Sequence, residues 1–222
     1  MTSISSVSQT AHCVRSSAPM RGLVAGFFLC AMFSSLPASA QTASQPSAAA
    51  NPAASALAKL IPEQSAITFT SKQMGVPVDG RFGKFDAQIS FDPKQAAASK
   101  ISFNVDIGSA AVGDAETVRE MRKPEWFNFA KFPSASFQST SAKALGAGKF
   151  EVVGKLNIKG VERLITTTVQ LSQKAGVTLV EGNFPLKRLD FKLGDGDWKD
   201  VSVVADEVIV KLKLSLTGVA AL

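Results

Sequence analysis

The residue types that most often carry covalent chemistry sit where they cannot serve a folded domain. Both cysteines, Cys13 and Cys30, and the single histidine, His12, fall within the first 30 residues, and there is no tyrosine. Beyond that leader no Ser-His-Asp or Cys-His nucleophile and no Cys/His zinc or copper site can be assembled. Asp206 and Glu207 are adjacent on a strand pattern, so they project to opposite faces and cannot address one substrate. Asp195-Gly196-Asp197-Trp198-Lys199-Asp200 opens like a calcium loop. Lys199 and Asp200, however, stand where an EF-hand places an oxygen ligand and a glycine. The pattern argues against an enzyme and against a metal site. What remains is phenylalanine: Phe69, Phe82, Phe85, Phe91, Phe103, Phe127, Phe129, Phe132, Phe137, Phe150, Phe184 and Phe191. The chemistry on offer is apolar contact.

The N-terminus reads as an address. Residues 1–21 are polar and carry Arg15 and Arg21 with no acid; Gly22 to Phe33 is apolar; Ala38-Ser39-Ala40 is an A-x-A site. This is the order of a secretory signal peptide over residues 1–40, with cleavage after Ala40 and a periplasmic destination. Twelve apolar residues rise about 18 Å, too short for a hydrocarbon core of about 30 Å. Removing residues 1–40 takes two arginines from the 24 basic residues and leaves all 18 acidic ones, so the formal charge falls from +6 to +4. Residues 41–58, rich in Ala, Ser and Pro with Pro46 and Pro52, read as a flexible linker, and 59–218 as the folded domain.

That domain reads as strands. Ile67 and Phe69 alternate with threonines, and Ala87, Ile89 and Phe91 with Gln88 and Ser90. Ile101 to Ile107, Phe150 to Ile158 and Val208 to Leu216 show the same period. Such alternation means antiparallel strands with one apolar and one wet face. Asp79-Gly80, Gly146-Ala147-Gly148, Ala175-Gly176, Glu181-Gly182-Asn183 and Gly194-Asp195-Gly196 read as turns. The exception is the stretch after Asp114, which reads as an N-cap followed by a short helix with Val118 and Met121 on one face. Pro124 ends it and starts a second short one at Glu125-Trp126-Phe127. The fold class is all-β: an antiparallel sandwich or barrel of about eight strands with one or two short helices. Periodicity alone leaves open whether the apolar faces meet in a dry core or line a cavity. The outward lysines Lys155, Lys159, Lys211 and Lys213 read as solvated strand faces rather than a nucleic-acid surface.

Ordered motifs span the whole domain. They run from Phe69 through Val78-Asp79-Gly80-Arg81-Phe82-Gly83-Lys84-Phe85, Phe91-Asp92, Pro124-Glu125-Trp126-Phe127, Phe132-Pro133, and Phe137 with Ser139. Gly154-Lys155-Leu156-Asn157-Ile158-Lys159-Gly160-Val161, Arg188-Leu189-Asp190-Phe191 and Asp206-Glu207-Val208 follow. In this order they resemble the YceI-like family of secreted, lipocalin-like bacterial proteins. The chain departs from the family at Lys192, where a glycine is usual, and at Arg119-Glu120, where Arg-Asp is common.

The resemblance implies an elongated antiparallel, lipocalin-like barrel whose interior holds a long isoprenoid lipid, a polyprenol or the tail of an isoprenoid quinone, for transport or storage. No covalent cofactor is implied. The lining would comprise Ile67, Phe69, Phe82, Phe85, Ile89, Phe91, Phe103, Val105, Trp126, Phe127, Phe137, Leu156, Ile158, Val210 and Leu212. Arg188 and Asp190, on one strand face, would stand at the barrel mouth as an ion pair or as head-group contacts. The run Lys72 to Val78 is similar to a subgroup associated with membrane b-type cytochromes, which makes a quinone, and transient contact with a membrane or such a cytochrome, an expectation. A monomer or homodimer is expected. The alternative is a stress-related structural or interaction protein with a packed core and no ligand.

Overall fold

Period-two sequences with short turns leave their backbone groups to be paired between strands, and here they pair around a closed ring. The structure, a computed structural model, describes residues 57–222. The signal peptide, its cleavage site and nearly all of the linker lie outside the described residues. The strands are β1 (Leu57–Leu60), β2 (Ala66–Gln73), β3 (Val76–Phe82), β4 (Phe85–Ser90), β5 (Lys100–Asp106) and β6 (Ala110–Val112). They continue as β7 (Ser134–Gly146), β8 (Lys149–Ile158), β9 (Val161–Lys174), β10 (Val177–Lys187) and β11 (Glu207–Thr217). β1 begins inside the segment read as linker.

The ring runs β1-β4-β5-β7-β8-β9-β10-β11 and back to β1, all antiparallel: a closed eight-stranded barrel. The other three strands prolong it. β2 continues β1 along the edge of β11, β3 runs into β4, and β6 prolongs β5. The interruptions fall at one level: a 3-10 turn at Pro62–Gln64, the Gly83-Lys84 step, and a 3-10 turn at Ile107–Ser109. They are stitched together there, Gly83 N–H donating to Ser109 O at 3.1 Å and Asp106 N–H to Lys84 O at 3.0 Å. Beyond this level β6 pairs only with β3, so the β2-β3-β6 extension stays joined to the ring through β11 and is not paired to β7.

The single α-helix among the described residues, α1 (Ala115–Met121), follows β6. Asp114 caps it, accepting from Glu116 N–H at 2.8 Å and Thr117 N–H at 2.9 Å. Those two amides, Thr117 first, hold the Asp114 carboxyl below its ordinary value. The second helix expected at Glu125-Trp126-Phe127 does not form. Irregular turns occupy residues 122–133, tied by Trp126 N–H to Lys123 O at 3.1 Å and Phe127 N–H to Met121 O at 3.1 Å.

Two expected turns lie inside strands. Asp79-Gly80 is in β3 and Glu181-Gly182-Asn183 in β10. At Gly80 the reason is packing. The ring of its cross-strand partner Phe69 lies over it, in the space a Cβ would need. Gly154 in β8 makes the same room for Phe137. A turn goes unannounced at Met74-Gly75, where both residues have positive φ, 48° and 80°, and close the β2–β3 hairpin.

The two ends of the barrel differ. At the end carrying the β7–β8 and β9–β10 turns, Phe91, Phe150, Leu171, Leu214 and Leu216 are buried together, with Phe91 and Phe150 edge-to-face at 5.0 Å. At the other end lie the β2–β3 hairpin, α1, residues 122–133 and the link from β10 to β11.

Candidate functional site

Side chains at alternate positions of the ring strands point inward without filling the barrel. They enclose a cavity of about 610 Å³ that extends along the barrel from Leu216 and Val219 at one end to Gln73 and Glu116 at the other. Fourteen of the fifteen side chains proposed from the sequence as lining face this bore: Ile67, Phe69, Phe82, Ile89, Phe91, Phe103, Val105, Trp126, Phe127, Phe137, Leu156, Ile158, Val210 and Leu212. Phe85 is the exception. It sits beside the Gly83-Lys84 step, where the strand bends, and packs against the core cluster around Ile89 and Phe91 without reaching the bore.

The solvent-exposed part of the lining lies at one end. Of all the residues lining it, only Gln73 on β2 and Glu116 on α1 are solvent-exposed. The polar lining is concentrated there. The inward face of β2 runs Ile67, Phe69, Ser71, Gln73, passing from apolar to polar toward the hairpin, and α1 presents Glu116, Thr117 and Glu120 opposite. Deeper in, Thr167 is the one further neutral polar side chain, and its hydroxyl donates to Asn183 O at 3.2 Å. Glu120 pairs with Lys123 at 2.5 Å, which raises the Lys123 ammonium above its ordinary value.

Sequence reasoning missed these mouth residues. A signal existed: the β2 alternation continues through Ser71 and Gln73, and Glu116 and Glu120 stand four apart on one helical face. What could not be read was that β2 and α1 face one another across an opening.

Arg188 lies at the same end, 2% exposed, and it is not on a strand. Arg188–Phe191 form a 3-10 turn ended by Lys192, whose left-handed backbone (φ 56°) is the conformation a glycine holds without strain. Arg188 and Asp190 therefore share no strand face. Asp190 is exposed and outside the bore lining, and the two make no ion pair. All five guanidinium N–H groups of Arg188 go to main-chain carbonyls instead. Nε donates to Ala205 O (3.1 Å), Nη1 to Leu193 O (2.8 Å) and Gly194 O (3.3 Å), and Nη2 to Trp198 O and Val204 O (both 2.7 Å). Burial draws the guanidinium down from its ordinary value and Asp206 opposes this, so it stays charged. It thereby holds the irregular β10–β11 link in shape. Arg188 also stacks on Trp126 (5.6 Å), which meets Trp198 at 5.7 Å, and both indoles line the bore.

Lys159 is a second such tie. It turns the β8–β9 corner, and its Nζ donates to Lys192 O at 2.6 Å and Glu125 O at 3.2 Å, so it is no solvated strand lysine. Lys155 does face outward, pairing with Glu162 at 2.9 Å.

Residues 59–216 match the YceI-like domain. The chain belongs to the YceI-like family. Relatives include a UPF0312 protein of Yersinia pestis, 32% identical over 163 residues (69% of this chain, 80% of the relative). Another is from Azotobacter vinelandii, 32% identical over 149 residues (63% and 73%). Among solved structures, BcnA of Burkholderia cenocepacia superposes with a TM-score of 0.69 at 37% identity, covering 71% of this chain and 99% of BcnA. A YceI-like fold is also found in a polyisoprenoid binding domain from Saccharophagus degradans implicated in plant cell wall breakdown. It has a TM-score of 0.57 at 21% identity and covers 72% of this chain and 97% of that domain. This YceI-like chain thus shares its barrel with a domain that binds polyisoprenoids.

Proposed function

We propose that this chain binds a long-chain isoprenoid lipid, a polyprenol or isoprenoid quinone, inside its barrel, and carries or stores it in the periplasm without covalent chemistry on it. One observation carries this reading: an apolar bore of about 610 Å³ with a polar, exposed mouth at one end. That volume lies within the range of roughly 300–1,000 Å³ usual for small-molecule sites. The polyisoprenoid-binding domain of the same fold supports the ligand class, and the signal-peptide pattern of residues 1–40 supports export.

The energetics suit a carrier. Each five-carbon unit drawn from water is worth about 4 kcal/mol, at about 0.8 kcal/mol per carbon. The tail, however, rests in a bilayer that is already dry. Moving it into the bore exchanges one apolar surrounding for another, so transfer is close to neutral and reversible. Contact with the membrane, or with a membrane b-type cytochrome in the quinone case, is where such a transfer takes place.

The test is extraction of the purified protein with organic solvent, read by mass spectrometry and ultraviolet absorbance, together with thermal melts on adding polyprenol or quinone. The proposal expects a co-purifying prenyl lipid and a raised Tm. Leu156→Trp, which fills the bore from the wall, should abolish both while the protein stays folded. A clean extract and an unmoved Tm in the unmodified protein would leave a structural role instead.

A further inference from the structure

The apolar wall accepts any oily chain, so discrimination falls to the mouth. Resting on the reading of the barrel as a prenyl-lipid site, we infer that the mouth selects a neutral, hydroxyl-bearing head group and excludes a phosphorylated one.

A phosphate needs cationic or N–H donors free to receive it. The bore has one cation in its lining, Arg188, and all five of its N–H groups are held by carbonyls. Across the opening stand two carboxylates. Glu120 is offset by Lys123, while Glu116 makes no ion pair among the described residues. An entering phosphate meets negative charge at the rim and nothing to neutralise it within.

One donor at the bore is buried without a partner. Trp126 lines the bore, and its indole Nε1–H is buried with no acceptor among the described residues. Buried polar groups are almost always partnered in folded proteins, so an orphan beside a cavity calls for a ligand oxygen. Around it the mouth lining adds the carboxylates of Glu116 and Glu120, the hydroxyls of Ser71 and Thr117 and the amide of Gln73. The carboxylates only accept, while the hydroxyls, amide and indole can donate, so the set complements a hydroxyl, which both donates and accepts. A quinone offers acceptors only and leaves the carboxylates without a donor; a quinol adds the donors. A prenol and a quinol share the required chemistry.

The test measures binding of a prenol, its monophosphate of equal chain length, a quinone and quinol pair, and squalene, which has no head. Intrinsic fluorescence serves as the signal, since the chain's two tryptophans, Trp126 and Trp198, both line the bore. The prenol should bind at least roughly tenfold more tightly than its phosphate, and the quinol more tightly than the quinone. In Glu116→Gln/Glu120→Gln the phosphate's disadvantage should shrink. In Trp126→Phe, read through Trp198, prenol affinity should fall several-fold with squalene unchanged. The tighter of prenol and quinol names the source of the head. Equal binding of prenol and phosphate, or a preference that survives the double substitution, overturns the head-group inference while leaving the lipid site standing. If squalene and every headed lipid fail to bind, the prenyl-lipid reading falls with it.

Discussion

The two ends of this barrel are closed by different physics. At the β7–β8 and β9–β10 turns the strands stay paired to their ends, with a bulge in β7 between Ala144 and Gly146, and side chains fill the barrel: Phe91 against Phe150, with Leu171, Leu214 and Leu216 beneath. At the mouth the ring is incomplete, because the β2-β3-β6 extension stays joined to β11 but not to β7, and irregular backbone lies at that end. Irregular backbone brings carbonyls that no ladder satisfies, and a buried polar group without a partner is costly. Arg188 and Lys159 meet that cost by donating to seven carbonyl contacts between them. One end is a hydrophobic plug and the other a polar frame around an exposed rim.

The contrast can be broken most severely at Arg188. Arg188→Met keeps much of the volume and removes all five donors, leaving buried carbonyls orphaned; a loss of about 3–5 kcal/mol in urea unfolding is expected. Arg188→Lys should recover little, because one ammonium cannot reproduce the planar fork. A loss under about 1 kcal/mol would mean the frame does not depend on this side chain.

At the plugged end the expectation is an ordinary core penalty. Leu216, 2% exposed, cut to Ala should cost about 3 kcal/mol by lost transfer energy and enlarged cavity. Added squalene should restore part of it, since the new space joins the bore, and the difference is read from melts with and without lipid.

A smaller effect is expected at the rim. Asp114→Ala removes the cap of α1, so amide exchange should quicken across Ala115–Met121 while the ladders stay protected. The sign with pH follows from the lowered carboxyl: the cap's contribution is full above the ordinary aspartate pKa of about 3.9 and fades as pH falls through the still lower folded value. Exchange in α1 of the unmodified protein should therefore rise on acidification below about pH 4.

The smallest change is expected to stabilise. Lys192→Gly relieves the left-handed backbone at φ 56°, for a gain of up to about 1 kcal/mol, provided the Lys159 contact to its carbonyl survives. A loss would show that the lysine side chain contributes at the mouth.

Legibility in the sequence followed the same division. β8 and β11 alternate without a break, and their residues Leu156, Ile158, Val210 and Leu212 could be placed on the inner face from spacing, because a period of two admits one face only; that this face lines a bore was an expectation from the family resemblance. Phe85 obeyed the period and shares the inner face of β4 with Ile89, yet it packs into the core cluster without lining the bore, which spacing alone cannot show. Gly80 and Gly182 looked like turns because glycine marks turns and close packing alike. Arg188 and Asp190 looked like partners on a strand. Nothing local reveals that carbonyls from residues 193–205 would gather around one of them.

Alternation, and the absence of Cys and His from the domain, determined by themselves that this is an antiparallel β protein with an oily inner face and no Cys-His or Ser-His pair, since side-chain direction in a strand is a local property of the backbone. Whether that face closed on itself or on a void, where the void opened, and which charges stood at the opening were settled only by the tertiary structure. Those properties depend on the ring's circumference and on segments as distant as Gln73, Glu116, Trp126 and Arg188 arriving at one rim, and no spacing along the chain encodes that meeting.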